Sequence, residues 1–241
     1  YDAEDYTLNA FNVPFVAYGG EDDPQLAASQ RIKESIEQLG VTFTPDGLNA
    51  TTTDIPFLYL VGPKMGHQFH PESRKRAMEF HAAHAADGIS YFHDRVRFTT
   101  FTLKYPGAFG YTIRQMFRHY QPATIEATKG EDGVVDIETK NVARLEVSRG
   151  IGTQVRLAGE LYNLESAAMG RLPTVIFATR GEDWVLLNYD ETLDELKAST
   201  AKRPGMQGPI DDAFSGPFLC VRGTGEPWSP TLDAWANWSL D

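Results

Sequence analysis

Two stretches decide how the chain reads: Asn12-Val13-Pro14-Phe15-Val16-Ala17-Tyr18-Gly19-Gly20-Glu21-Asp22-Asp23 and Pro56-Phe57-Leu58-Tyr59-Leu60-Val61-Gly62-Pro63-Lys64-Met65-Gly66-His67-Gln68-Phe69-His70. Each is a short apolar and aromatic run that ends in glycine and opens into a loop holding titratable groups. A run that is apolar at successive positions fits a strand covered on both faces, so Asn12–Tyr18 and Pro56–Val61 are predicted strands. After the first loop, Leu26, Ile32, Ile36 and Leu39 follow helical spacing, and Gly40 stands where a helix would stop. After the second, Pro71 opens another helix, with Glu72 and Glu79 near its start. Strand, loop and helix twice in succession predict a parallel α/β sheet with crossover helices.

Past Ala86 the rhythm changes. Arg95–Leu103 alternates and is β-branched or aromatic at most positions, which predicts a strand that Tyr105-Pro106-Gly107 ends. Short strand-like pieces follow from Ala123, separated by turn residues at 129–133, 149–152 and 180–183, as in an antiparallel β domain. Pro173–Thr179 and Trp184–Leu187 read as a hairpin. A helix over Thr192–Ser199, a loop over Lys202–Gly208 and an apolar strand over Phe214–Val221 come next. Ser229 and Pro230 then open a last helix with Leu232, Trp235 and Trp238 behind them. The expected organisation is an α/β segment over 1–105, a β-rich accessory domain over 106–200, and the start of a further strand–helix segment over 201–241.

Composition narrows the function. With 241 residues, 41% of them hydrophobic, the chain can bury a sizeable core and is not expected to be disordered. Lys and Arg number 22 against 33 Asp and Glu, a net charge of −11, so the surplus that binds nucleic acid is missing. No apolar run approaches the roughly 18 to 20 residues that span a bilayer. Tyr1–Tyr6 carry three acids and none of the features of a secretory leader. The single Cys220 cannot form an internal disulfide, and in Phe218–Val221 it reads as a small buried hydrophobe.

The chemistry is expected in the two loops, because in α/β sheets helix N-termini and free backbone groups converge beyond the carboxyl ends of strands. A carboxylate at Asp23 or Asp22, and a histidine at His67, 44 positions after Asp23, have the types needed for an orienting acid and a general base. An aspartate before a helix also serves as a cap. Histidines three apart, His67 with His70 and His81 with His84, raise a metal site that Glu72 would complete, but no HExxH motif supports one. Tyr162, Trp184 and Tyr189 in the β-rich part fit core packing or a binding surface.

These residues carry a resemblance. Val13–Asp23, Leu58–Ser73, Val96–Leu103 and Met206–Phe214 together look like the C-terminal part of a prolyl-oligopeptidase-like α/β-hydrolase, and are similar to large bacterial proteins in which that domain precedes a β domain. The resemblance implies that the family's acid falls on Asp23, with Asp22 as the alternative, and its base on His67, with His70 as the alternative. It implies a serine hydrolase cleaving a small ester or peptide through an acyl-enzyme, with no cofactor and no metal. The chain departs from the family at the nucleophile. A strained elbow needs G-x-S-x-G, and none of Ser90, Ser148, Ser215 and Cys220 has the small residue required on both sides. The expectation is a chain that begins downstream of the elbow, ends before its parent does, and is weakly active or inactive alone. The alternative is a non-catalytic domain that binds carbohydrate or peptide. No nucleic-acid or membrane partner is expected, and neither compartment nor oligomeric state has a signature.

Overall fold

The first apolar run becomes strand β1 (Phe15–Gly20), after a 3-10 segment at Ala3–Phe11. Helix α1 (Leu26–Gln38), the short strands β2 (Thr44–Asp46) and β3 (Asn49–Thr51), strand β4 (Phe57–Gly62) and helix α2 (Pro71–Ala85) complete this first lobe. The structure is a computed structural model that describes residues 3–86, 88, 90–165, 172–197, 202–206, 208, 217, 219 and 225–240. Strands β1 and β4 are parallel and pair without a break from Phe15 against Phe57 to Gly20 against Gly62. All of β4 is buried, and its alternation explains why. Phe57, Tyr59 and Val61 join Ile36 of α1 on one face, while Leu58 and Leu60 meet Ala77 and Phe80 of α2 on the other.

The expected α/β-hydrolase parallel sheet is not what forms. The sheet order is β1-β4-β3-β2, and β1 with β4 is its only parallel pair among the described residues. Residues 44–51 fold into a hairpin whose turn uses the left-handed backbone of Gly47 (φ 61°), which a glycine adopts at no steric cost. Its second strand lies antiparallel to β4 and occupies the edge where a further parallel strand would go. Because α2 leads out of this sheet altogether, the fold is β-rich: three mixed or antiparallel sheets with few helices.

The next strands are β5 (Arg95–Thr100), β6 (Gly107–Ala108), β7 (Tyr111–Met116), β8 (Ala123–Lys129), β9 (Val135–Lys140) and β10 (Val142–Ser148). After them come β11 (Gln154–Leu157), β12 (Glu160–Asn163), β13 (Thr174–Arg180) and β14 (Asp183–Leu186). They form two sheets, β14-β13-β10-β7-β6 and β12-β11-β9-β8-β5. Val96, Ile125 and Val155 of one meet Ile113, Leu145 and Phe177 of the other in a single buried cluster, as in a sandwich. The predicted hairpin is β13–β14, with Arg180 opposite Asp183. Helix α3 (Tyr189–Lys197) starts three residues before its predicted position because Asn188 and Glu191 cap it reciprocally. Helix α4 (Pro230–Leu240) opens at the predicted proline. Of the expected strand Phe214–Val221 only Pro217 and Leu219 are described, neither in a strand, and Cys220 lies outside the described residues.

The lobes are joined by two asparagines. Asn9 donates to Thr99 O at 3.0 Å and accepts from Thr99 N at 2.8 Å. Asn12 donates to Arg97 O at 2.6 Å and accepts from Arg97 N at 2.9 Å. Three residues apart on a 3-10 turn, the two amides point the same way. They satisfy the outward backbone groups of β5, an edge strand, as a neighbouring strand would.

Candidate functional site

The two loops leave the sheet side by side, because β1 and β4 are paired to their last residues, and backbone hydrogen bonds then join them. Glu21 N donates to Gly62 O at 2.8 Å, and Asp22 N donates to Met65 O at 2.9 Å. The Glu21 carboxylate accepts from Lys64 N at 2.8 Å. The approach is close enough that only glycine fits at position 20: a Cβ there would lie 2.2 Å from Gly66 O and 2.3 Å from Met65 O.

On this base the structure brings Asp23 and His67 together, Asp23 Oδ2 lying 2.9 Å from His67 Nδ1. The other carboxylate oxygen, Oδ1, accepts the Gln25 N–H at 2.8 Å, closing a turn that leads into α1. One side chain thus both shapes the helix start and holds the histidine. The Gln25 N–H holds the Asp23 carboxyl below the ordinary carboxylate range, His67 acts in the same sense, and desolvation opposes both. Exposure is unequal: 10% of the Asp23 side chain is accessible against 80% of His67. A half-buried carboxylate therefore fixes one face of an imidazole whose remaining nitrogen, Nε2, has no hydrogen-bond partner among the described residues.

The two alternatives take other roles. Asp22 contributes its backbone N–H to the loop junction. His70 is the N-cap of α2, and its ring Nδ1 is buried without a hydrogen-bond partner. His81 and His84 lie on α2, where His84 Nδ1 is 2.8 Å from Phe80 O. Among the described residues no group of three or more His, Cys, Asp or Glu side chains converges as a metal site.

A cleft of about 400 Å3 opens at the pair, lined by Tyr18, Gln25, Ala28, Ser29, Gln68 and Phe69 besides Asp23 and His67. Ser29 is buried and donates its hydroxyl to Leu26 O at 3.0 Å. Ser90 donates to Phe92 O, and the Ser148 hydroxyl accepts from Gly150 N. No described hydroxyl or thiol is hydrogen-bonded to His67.

Three residues of this arrangement were not singled out from the sequence: Tyr18, Glu21 and Gly62. The Tyr18 hydroxyl donates to Gln68 O at 2.7 Å and accepts from His70 N at 2.9 Å. Its seat requires a glycine opposite, since a Cβ at Gly62 would lie 2.2 Å from that oxygen. The available signal was the glycine at each strand end.

Away from the loops, the candidate aromatics divide. Tyr162 packs edge-on against Phe177 at 5.1 Å and donates its hydroxyl to Trp184 O, so core packing accounts for it. Trp184 also lines a cleft of about 560 Å3 with Asp136, Glu138 and Arg156. Tyr189 is exposed at the start of α3. No described helix is long and apolar enough to cross a membrane. Compared with known proteins, the chain matches no family model, no curated protein and no solved structure.

Proposed function

We propose that Asp23 and His67 are the orienting acid and general base of a hydrolytic site for ester or peptide bonds. The observation that carries this reading is the 2.9 Å contact between a half-buried carboxylate and Nδ1 of an exposed imidazole that faces a cleft. With Nδ1–H donated to Asp23, the lone pair lies on Nε2, where a base needs it. A serine nucleophile would give its proton to Nε2 as its oxygen bonds the carbonyl carbon. The imidazolium, stabilised by the Asp23 carboxylate, would return that proton to the leaving alcohol or amine as the acyl bond breaks. Water then repeats the cycle and frees the acid.

The likeness of the two loop motifs to the acid and histidine loops of prolyl-oligopeptidase-like hydrolases supports the same roles. It is a likeness of loops and not of the sheet that carries them. No described serine meets His67 and no serine stands in a G-x-S-x-G elbow, so the reading assigns the nucleophile to none of the described residues. The test is p-nitrophenyl acetate hydrolysis by the purified chain, with fluorophosphonate labelling. Turnover no faster than that of His67→Ala, and no labelled serine, is expected. Turnover that His67→Ala abolishes, together with a label on a described serine, would overturn that assignment.

A second reading, carbohydrate or peptide binding by the sandwich, draws on the cleft that combines Trp184 with Asp136, Glu138 and Arg156. Quenching of protein fluorescence by soluble xylan or a mixed peptide pool, lost in Trp184→Ala, is its expected outcome. Quenching unchanged in that variant would contradict it.

A further inference from the structure

We infer that Tyr18 is the positioning residue of His67, holding the histidine loop so that Nδ1 meets Asp23. Its consequence for catalysis rests on the hydrolytic reading above; its consequence for the histidine does not. The loop between β4 and α2 is tied at both ends. Before His67, Met65 O accepts from Asp22 N at 2.9 Å, and Gly66 O accepts from Gln68 N at 2.7 Å. After His67, one hydroxyl makes both ties: Tyr18 donates to Gln68 O at 2.7 Å and accepts from His70 N at 2.9 Å. A phenol is suited to this because it donates and accepts at one atom, and here it bridges two backbone groups of opposite polarity.

The strand places that atom. Tyr18 pairs with Leu60 in the parallel β1–β4 ladder, two residues short of Gly62. The missing Cβ at Gly62 leaves room for the hydroxyl, which a methyl would approach to 2.2 Å. Phe69 covers the ring at 4.1 Å between centroids. By contrast, His67 is 80% exposed and, among the described residues, is anchored by one side-chain hydrogen bond. Such a ring keeps its orientation only if the backbone beneath it is fixed, and the hydroxyl fixes the half of the loop that Asp22 does not reach.

The experiment compares wild type with Tyr18→Phe, Phe69→Ala and Asp23→Asn by long-range proton–nitrogen NMR of the His67 ring at alkaline pH. That measurement reports which ring nitrogen carries the proton and needs no catalysis. Wild type is expected to hold mainly the Nδ1–H form, the reverse of a free histidine. Tyr18→Phe, which keeps the ring and removes the two hydrogen bonds, is expected to shift His67 toward the Nε2–H form, as Asp23→Asn does. Phe69→Ala keeps the hydroxyl and is expected to leave the tautomer unchanged. In any assembly that turns over esters through His67, Tyr18→Phe lowers kcat roughly tenfold to a hundredfold with KM little changed. A His67 tautomer in Tyr18→Phe identical to wild type overturns the inference. A shifted tautomer alongside turnover that does not depend on His67, in an assembly that supplies the nucleophile, overturns the hydrolytic reading and leaves the positioning role standing.

Discussion

The two lobes use the same kinds of charged residue to different ends. In the sandwich, charges pair across neighbouring strands: Arg97 with Glu126, Arg114 with Glu146 and Arg156 with Asp136. Each pair satisfies itself, and such partly exposed pairs contribute at most about 1 kcal/mol. In the first lobe, Asp23 and His67 come from two loops beyond the strand ends, and only one side of the imidazole is occupied. The difference lies in the backbone. A regular ladder sets polar side chains opposite one another, whereas loops tied by their own backbone hydrogen bonds can aim a side chain at empty space.

The largest effect that would sharpen this contrast lies in the sandwich core. Leu145 is fully buried in the single cluster shared by both sheets, so Leu145→Ala is expected to cost about 2–5 kcal/mol in urea unfolding. The local geometry of His67, read from its ring resonances, should survive at low denaturant. A His67 signal lost together with the sandwich before global unfolding would join what the comparison separates. Next comes Gly20→Ala. The added methyl meets Gly66 O and Met65 O, and overpacking of this kind costs about 1–3 kcal/mol. Here the loops should separate and the Asp23–His67 contact should be lost while the sandwich amides keep their exchange protection.

The smallest effect is in acid. The lowered Asp23 carboxyl stabilises the fold above its ordinary value of 3.8, and that stabilisation is lost as pH falls from there through the lower folded value. Asp23→Asn keeps an oxygen to accept the Gln25 N–H but removes the titration. Its unfolding free energy should therefore vary less with pH below 4 than that of wild type. Equal slopes in that range would show that Asp23 is not held charged by the fold.

How much of this could be read beforehand depended on which physical signal each part carries. Strand β4 was legible because it is apolar on both faces, and α2 because Pro71 sits at its first turn. The acid and base were legible as residue types after two glycine-ended strands. The β2–β3 hairpin was not: β2 is wholly exposed, so no hydrophobic pattern marks it. Missing that hairpin is what turned a mixed sheet into an expected parallel one. Asn9 and Asn12 bind backbone groups 90 and 85 residues away, a relation invisible to local spacing. Tyr18 hid for a related reason. Its pattern position marks a strand residue, and only the register against Gly62 reveals the job of its hydroxyl.

The central claim is that Asp23 orients His67 and leaves Nε2 available to act as a base. Its most direct test is the rate at which diethyl pyrocarbonate acylates each of the six histidines, followed by peptide mass spectrometry in wild type and Asp23→Asn. The account predicts that His67 reacts faster than His70, His81, His84, His93 and His119 in wild type, and that Asp23→Asn removes the advantage. A His67 no more reactive than the others, or one whose rate ignores the substitution, would contradict it.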